Sequence, residues 1–160
     1  MMKVLVVSDT HGRHGNLDII MDKEKPFDMF IHLGDLEGDE DYIRAFLNCT
    51  IHMIGGNNDY FADVPREQEF MIKNKKVFIT HGHKYAVYRG LDCLKAEALR
   101  RGADIVMFGH THVPYFEDKD GLVVLNPGSV TYPRQVGREP SYMIITVDDD
   151  NNFEFEQKYL

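Results

Sequence analysis

Two periodicities alternate along the first third of this chain, and one of them takes over in the rest. Met2 to Val7 is a continuous apolar, β-branched run, the pattern of a strand covered on both faces. Asn16 to Lys25 spaces Leu17, Ile20 and Met21 at helical intervals and stops at Pro26. Phe27 to Leu33 reads as a second strand, Asp39 to Asn48 as a helix carrying Tyr42, Ile43, Phe46 and Leu47 on one face, and Thr50 to Ile54 as a third strand. A strand–helix–strand–helix–strand series predicts a parallel sheet built by crossovers.

From residue 69 onward hairpin patterns dominate. Glu69 to Ile72 and Val77 to Thr80 form one, around Asn74-Lys75. Tyr115 to Glu117 and Leu122 to Leu125 form another, around Asp120-Gly121. Between them Gly90 to Arg101 predicts a helix with Leu91, Leu94, Ala98 and Leu99 inward, followed by a short strand at Asp104 to Phe108. The tail pairs Tyr142 to Val147 with Phe153 to Tyr159, where Phe153, Phe155 and Tyr159 share one face and Glu154, Glu156 and Lys158 the other. The expected class is α/β, two packed mixed β-sheets with helices outside, in one domain spanning residues 1–160.

Composition narrows the function. A chain of 160 residues can bury roughly two-thirds of its unfolded surface without cross-links. Cys49 and Cys93 lack CxxC spacing and read as small apolar side chains in a reducing compartment. The amino terminus has no basic-then-apolar leader pattern, and no run reaches membrane-spanning length, so a soluble, cytoplasmic protein is expected. A net charge of −8 argues against broad binding to a nucleic-acid backbone but allows a small phosphorylated substrate. A homo-oligomer is compatible with the sequence.

The chemistry-bearing residues share a position. Asp9/His11, Asp35, Asn57, His81 and His110/His112 each follow an apolar run that reads as a strand, and each has a glycine beside it. Open α/β sheets bind ligands at the carboxyl ends of their strands, so five loops can converge there. Two carboxylates, four imidazoles and an amide suit divalent transition metals. Two such cations against Asp9 and Asp35 leave an excess positive charge, which attracts a phosphate and stabilises its transition state. A carboxylate shared by both holds them roughly 3.5–4 Å apart and lets hydroxide from a metal-bound water attack in line. Asp35, alone on its loop, suits the shared position.

Asp9-Thr10-His11, Gly34-Asp35, Gly56-Asn57-Asn58-Asp59, His81-Gly82-His83 and Gly109-His110-Thr111-His112 together resemble the ordered motifs of calcineurin-like metallophosphoesterases. The small single-domain phosphodiesterase branch is most similar, with Asn126-Pro127-Gly128-Ser129 and Pro133-Arg134 continuing the likeness. The resemblance implies a four-layer sandwich and a hydrolase acting on a small phosphodiester with two divalent metals. Manganese is the first choice, with nickel, cobalt, iron or zinc compatible. It implies that Asp9, His11 and His112 hold one ion, that Asn57, His81 and His110 hold the other, and that Asp35 bridges. Asn58, Asp59 and His83 join Asp35 and Asn57 as expected catalytic residues. Many members of the wider superfamily carry a histidine where this chain has Asn58, and an amide cannot act as a general acid. The retromer subunit of this fold acts mainly as an interaction scaffold, so a non-catalytic metal-binding scaffold is the alternative.

Other polar residues carry weaker signals. His83 either contacts substrate or orients its loop, and His14 either supports the metal loops or is surface. His32 and His52 lie within apolar strands and read as satisfied core histidines. Arg134 either clamps a phosphate oxygen or is a surface arginine, and Asn126 fixes a turn before Pro127. Asp39, Glu40 and Asp41 read as the acidic first turn of a helix.

Overall fold

The computed structural model describes residues 1–160. In chain order its elements are β1 (Met2–Val7), α1 (Gly15–Glu24), β2 (Met29–His32), α2 (Glu40–Phe46) and β3 (Thr50–Met53). They continue with β4 (Glu67–Ile72), β5 (Lys75–Thr80), a 3-10 turn (His83–Tyr85), α3 (Asp92–Arg100) and β6 (Ile105–Met107). The last four are β7 (Tyr115–Lys119), β8 (Leu122–Asn126), β9 (Ser141–Val147) and β10 (Phe153–Tyr159).

Ten strands make two five-stranded sheets, ordered β10-β9-β1-β2-β3 and β4-β5-β6-β8-β7. Within the first, β1, β2 and β3 are parallel and β9 runs antiparallel to both of its neighbours, β1 and β10; in the second, β5, β6 and β8 are parallel between antiparallel edges β4 and β7. Side chains on the facing sides interdigitate: Val4, Val6 and Ile31 from one sheet share a core with Ile79, Met107 and Leu125 from the other. Alternate residues of the same strands point outward. Leu5, Val7 and Phe30 pack on Leu17, Ile20, Met21 and Ile43 of α1 and α2, while Phe78, Val106 and Val124 pack on Leu94 and Ala98 of α3. The layers run helix, sheet, sheet, helix. Central strands buried on both faces explain the unbroken apolar runs of β1, β2 and β8.

Three expected core positions sit elsewhere. Leu99 is 61% exposed, because it stands about 140° around the helix from Leu94 while Ala98 stays in line with it. Phe46 is partly exposed at the end of the seven-residue α2, and Lys25 Nζ lies 4.3 Å over its ring. Tyr159 is largely exposed on β10, whereas Lys158 turns from solvent to pair with the buried Glu24.

Candidate metal centre

The topology puts the carboxyl ends of β1, β2 and β3 beside those of β5 and β6, along one rim of both sheets. Backbone hydrogen bonds lace the loops together there. Asp9 N–H donates to Gly34 O at 3.0 Å, His11 N–H to Asp35 O at 2.9 Å and Gly109 N–H to His81 O at 3.0 Å. Ser129 Oγ donates to Asp9 O at 2.8 Å and Thr131 Oγ1 to Thr10 O at 2.8 Å, tying the loop after β8 under the first.

Six of the seven expected donors meet in one continuous cluster. His112 Nε2 lies 3.2 Å from Asp9 Oδ1 and 3.2 Å from His11 Nε2. His11 Nε2 is 3.8 Å from Asp35 Oδ2, and His81 Nε2 is 3.4 Å from that same oxygen. His110 Nδ1 lies 3.2 Å from His81 Nε2. Asp35 thus stands between two histidine pairs, one on each side. Asp9, His11, Asp35 and His112 place one donor atom each within 4.8 Å of one another. Asn57 follows Gly56 at the end of β3; its Oδ1 is buried without a hydrogen-bond partner.

The hydrogen bonds behind the rings show which nitrogens are free. His81 Nδ1 meets the Leu33 carbonyl at 2.7 Å and His112 Nδ1 meets the Tyr132 carbonyl at 2.7 Å. A carbonyl only accepts, so both Nδ1 atoms carry the hydrogen and each Nε2 presents a lone pair. His11 Nδ1 faces Glu37 Oε2 at 3.0 Å, which likewise turns its Nε2 lone pair toward His112. Two lone pairs 3.2 Å apart repel unless a proton or a cation sits between them. Two nitrogens on one tetrahedral ion at 2.0–2.1 Å are about 3.4 Å apart, close to the observed spacing. Asp9 Oδ1 is also buried and unpartnered, while Oδ2 accepts from Ser8 Oγ at 2.6 Å and His110 N–H at 3.1 Å. The donor set fits divalent cations.

Titration follows the same logic. Burial alone raises the Asp9 carboxyl, yet the approach of the His112 ring at 3.2 Å and the neighbouring His81 outweigh it and hold it low. Asp35 is likewise held well below the carboxylate range, because the contact with His81 and the Asn58 N–H overcome burial. His81 is raised despite burial, by Asp35 and then Asp9. His110 falls to about 4, from burial first and the neighbouring His81 second. Without a cation, a proton on His81 neutralises part of the carboxylate charge; coordination needs that proton gone.

The rim also stores backbone strain. Asp9, His11, Asp35, His110 and His112 have φ of 55°, 51°, 56°, 70° and 60°, the left-handed region that a non-glycine residue occupies at a cost of about 1–2 kcal/mol. Five of the seven expected donors are held there. Two glycines make room for them. A Cβ on Gly34, at φ +105°, would come within 2.6 Å of His81 Nδ1, and one on Gly109 would meet Ser8 Oγ and, at 2.8 Å, Asp9 Oδ2.

The remaining expected residues divide by what they touch. Asn58 donates from its backbone N–H to Asp35 Oδ1 at 3.0 Å and from Nδ2 to Asp35 Oδ2 at 3.1 Å, so its amide orients that carboxylate. Asp59 accepts backbone N–H groups of Leu36, Glu37 and Gly56 at 3.0, 2.7 and 2.8 Å. It clamps the loops after β2 and β3 together. His83 starts the 3-10 turn with its ring 5.5 Å from His81 and 6.0 Å from His110, and its buried Nδ1 has no partner. His14 lies tilted against Tyr42, with ring centroids 4.0 Å apart, and faces the buried Asp39 at 3.2 Å, away from the donors. His32 bridges Thr10 Oγ1 and Gly34 N–H at 2.9 and 3.1 Å, its pKa lowered to about 4, chiefly by burial. His52 bonds Gln68 and stacks on Phe70. Asn126 does more than fix its turn: Nδ2 donates to Gly109 O and Thr111 Oγ1, both at 3.0 Å. Arg134 reaches Tyr88 Oη at 2.5 Å.

Sequence reading overlooked Glu37 and the carbonyls of Leu33 and Tyr132, which act from loops distant in sequence from the rings they orient. Ser8, next to Asp9, and Ser129, inside a quoted motif, were in view without a role.

A helix-flanked double sheet with a carboxylate–histidine cluster on its rim is the architecture of the metallophosphoesterase fold. Residues 2–150 match the family model of the calcineurin-like phosphoesterase superfamily domain, and the chain belongs to that family. It is 34% identical over 152 residues to a probable metallophosphoesterase of Bacillus subtilis, covering 93% of this chain and 86% of the other. It is 32% identical over 146 residues to a phosphodiesterase of Methanocaldococcus jannaschii, covering 79% and 83%. Vps29 of Entamoeba histolytica, solved in complex with zinc, superimposes with a TM-score of 0.79 over 99% of both chains at 24% identity, a likeness of fold.

Proposed function

We propose that this chain is a dinuclear-metal phosphodiesterase. In this reading Asp9, His11 and His112 hold one divalent cation, Asn57, His81 and His110 the other, and Asp35 both. The two ions supply positive charge against the phosphate oxygens and a hydroxide nucleophile from water at neutral pH. The protein's part is to fix and tune the donors. Ser8 and the His110 N–H restrain Asp9; Leu33, Tyr132 and Glu37 set the tautomers of His81, His112 and His11. Asn58 aims Asp35, and Asp59 keeps the two loops in register. In the same reading His83, whose buried Nδ1 has no partner and whose ring lies beside His81 and His110, would touch substrate or the departing oxygen.

The observation that carries the reading is the pair of imidazole–imidazole contacts at 3.2 Å on either side of Asp35. No hydrogen-bond pattern among neutral rings accounts for the His11–His112 pair. The relatives' names support the same class of activity. The test is to assay hydrolysis of bis-(p-nitrophenyl) phosphate with Mn²⁺, Ni²⁺, Co²⁺, Zn²⁺ or Fe²⁺ and to measure bound metal. Turnover with one of them is expected, and manganese is our first choice. Two bound ions with no turnover under any metal would favour the scaffold instead.

No helix is long and apolar enough to cross a membrane. Free Cys49 and Cys93 suit a reducing compartment, and we place the activity in the cytoplasm on a small diester.

A further inference from the structure

Two cavities border the donor cluster, and they differ in size and charge. One of about 220 Å³, on the loops after β2 and β3, is lined by Glu37, Glu40, Asn58, Tyr60 and Phe61. The other, about 430 Å³, is lined by Tyr88, Arg89, Phe108, Thr111, Val113 and Tyr115. A third, about 360 Å³, touches Phe27 and Asn48. Those residues precede β2 and β3, so it lies at the opposite rim, out of reach of a group bound at the donors.

The larger cavity begins beside the donors. Thr111 stands between His110 and His112 and is part of its wall. Tyr88 is pinned although largely exposed: its hydroxyl donates to His110 O at 2.9 Å and accepts from Arg134 Nη1, and its ring lies 4.8 Å from the His110 ring. Phe108 forms a buried floor, and Val113 and Tyr115 stand partly exposed at the mouth. Arg89 and Arg134 give this side a positive edge on a chain of net charge −8. The smaller cavity presents Glu37 and Glu40 and repels an anion.

We propose that this cavity seats an aromatic substituent, of aryl or nucleobase size, esterified to the phosphate that the donor cluster takes. The inference rests on the phosphodiesterase reading for the phosphate and adds the class of group beyond it. Volume, wall chemistry and position agree. Ligand sites of this kind run from about 300 to 1,000 Å³ and are mostly apolar with few polar groups. Tyrosine rings and a guanidinium offer flat faces on which another ring stacks.

Binding to the Zn²⁺-loaded protein tests this without needing turnover. Phenyl phosphate and methyl phosphate share the phosphate and differ in the ring. Phenyl phosphate is expected to bind about tenfold tighter, within the range that one ring-on-aromatic stack contributes, and to shift the Val113 methyl resonances while methyl phosphate leaves them in place. In Val113→Trp, which fills the mouth, and in Tyr115→Ala, which removes a wall, the preference should fall toward one with methyl phosphate affinity unchanged. Equal affinities in the parent protein, or a preference that survives both variants, overturn the proposal. A phenyl preference without hydrolysis of any diester overturns the activity and leaves the cavity assignment standing. Hydrolysis without a preference does the reverse.

Discussion

Replacing Glu24 with glutamine removes one buried charge far from the metal rim and keeps the side chain's shape. Glu24 ends α1 and is 2% exposed. Oε1 accepts from Tyr142 Oη at 2.6 Å and Lys158 Nζ at 3.0 Å, and Oε2 pairs with Lys3 Nζ at 2.9 Å. Burial pushes this carboxyl up, but the Tyr142 hydroxyl and the two lysines outweigh it and bring it down to about 2 from an ordinary 4.5. A folded-state pKa below the unfolded one stabilises the fold above the unfolded value and loses that contribution as pH falls. The displacement corresponds to about 3 kcal/mol at pH 7 and about 1 kcal/mol at pH 3. Lys3 and Lys158 are each more than a quarter exposed, so screening brings the expected loss at pH 7 to about 2 kcal/mol. The introduced amide retains an acceptor for the Tyr142 hydroxyl, while its NH2 takes the place of the oxygen that faces Lys3 Nζ, so the loss includes that contact as well as the charge. The assay is urea unfolding of parent and Glu24→Gln at pH 7, 5 and 3, each without added metal and with chelator. Both proteins share every metal donor, so their titration cancels in the difference. A difference below about 0.5 kcal/mol at pH 7, or one that does not shrink toward pH 3, would refute the reasoning.

Asp35→Ala removes the carboxylate shared by both histidine pairs; diester hydrolysis should fall at least about a thousandfold and bound metal should drop below two ions per chain, read by elemental analysis. Asn58 gives no proton, so log kcat across aryl diesters should depend steeply on leaving-group pKa, and a flat plot would point to a donor such as His83. Gly109→Ala drives a methyl into Ser8 and Asp9, so metal affinity should weaken about tenfold or more, with thermal unfolding of the chelated protein shifting by a few degrees at most; unchanged affinity would mean the loop gives way.

Local pattern made much of this molecule readable. Continuous apolar runs marked β1, β2 and β8 because parallel and central strands are buried on both faces. Donor-type residues at strand ends with adjacent glycines marked the rim, since few sequences keep such residues after each strand without a ligand to hold. Partners distant along the chain left no local trace. Nothing local sets Glu24 apart from other charged helix-end residues, because its partner Tyr142 lies 118 positions later. Asp59 reads as a catalytic helper until its carboxylate is seen engaged by three backbone N–H groups. Leu99 failed for a nearer reason: periodicity counted it with Ala98, and the step of about 100° between neighbours turned it outward. The left-handed backbone at five donors is written in no residue type, because aspartate and histidine tolerate it without demanding it.

The donors do not all belong to one sheet. Asp9, His11, Asp35 and Asn57 follow strands of the first, whereas His81, His110 and His112 follow strands of the second. A cation shared between the two groups would act as a rivet through the seam of the sandwich. Occupancy would then be a mechanical property as well as a chemical one. A cation at a hundred times its dissociation constant adds about 2.7 kcal/mol to the stability of the assembled form, and chelation should let the sheets part at the rim first. Amide exchange along the loops after β1 and β6 would register that loosening before the strands themselves give way.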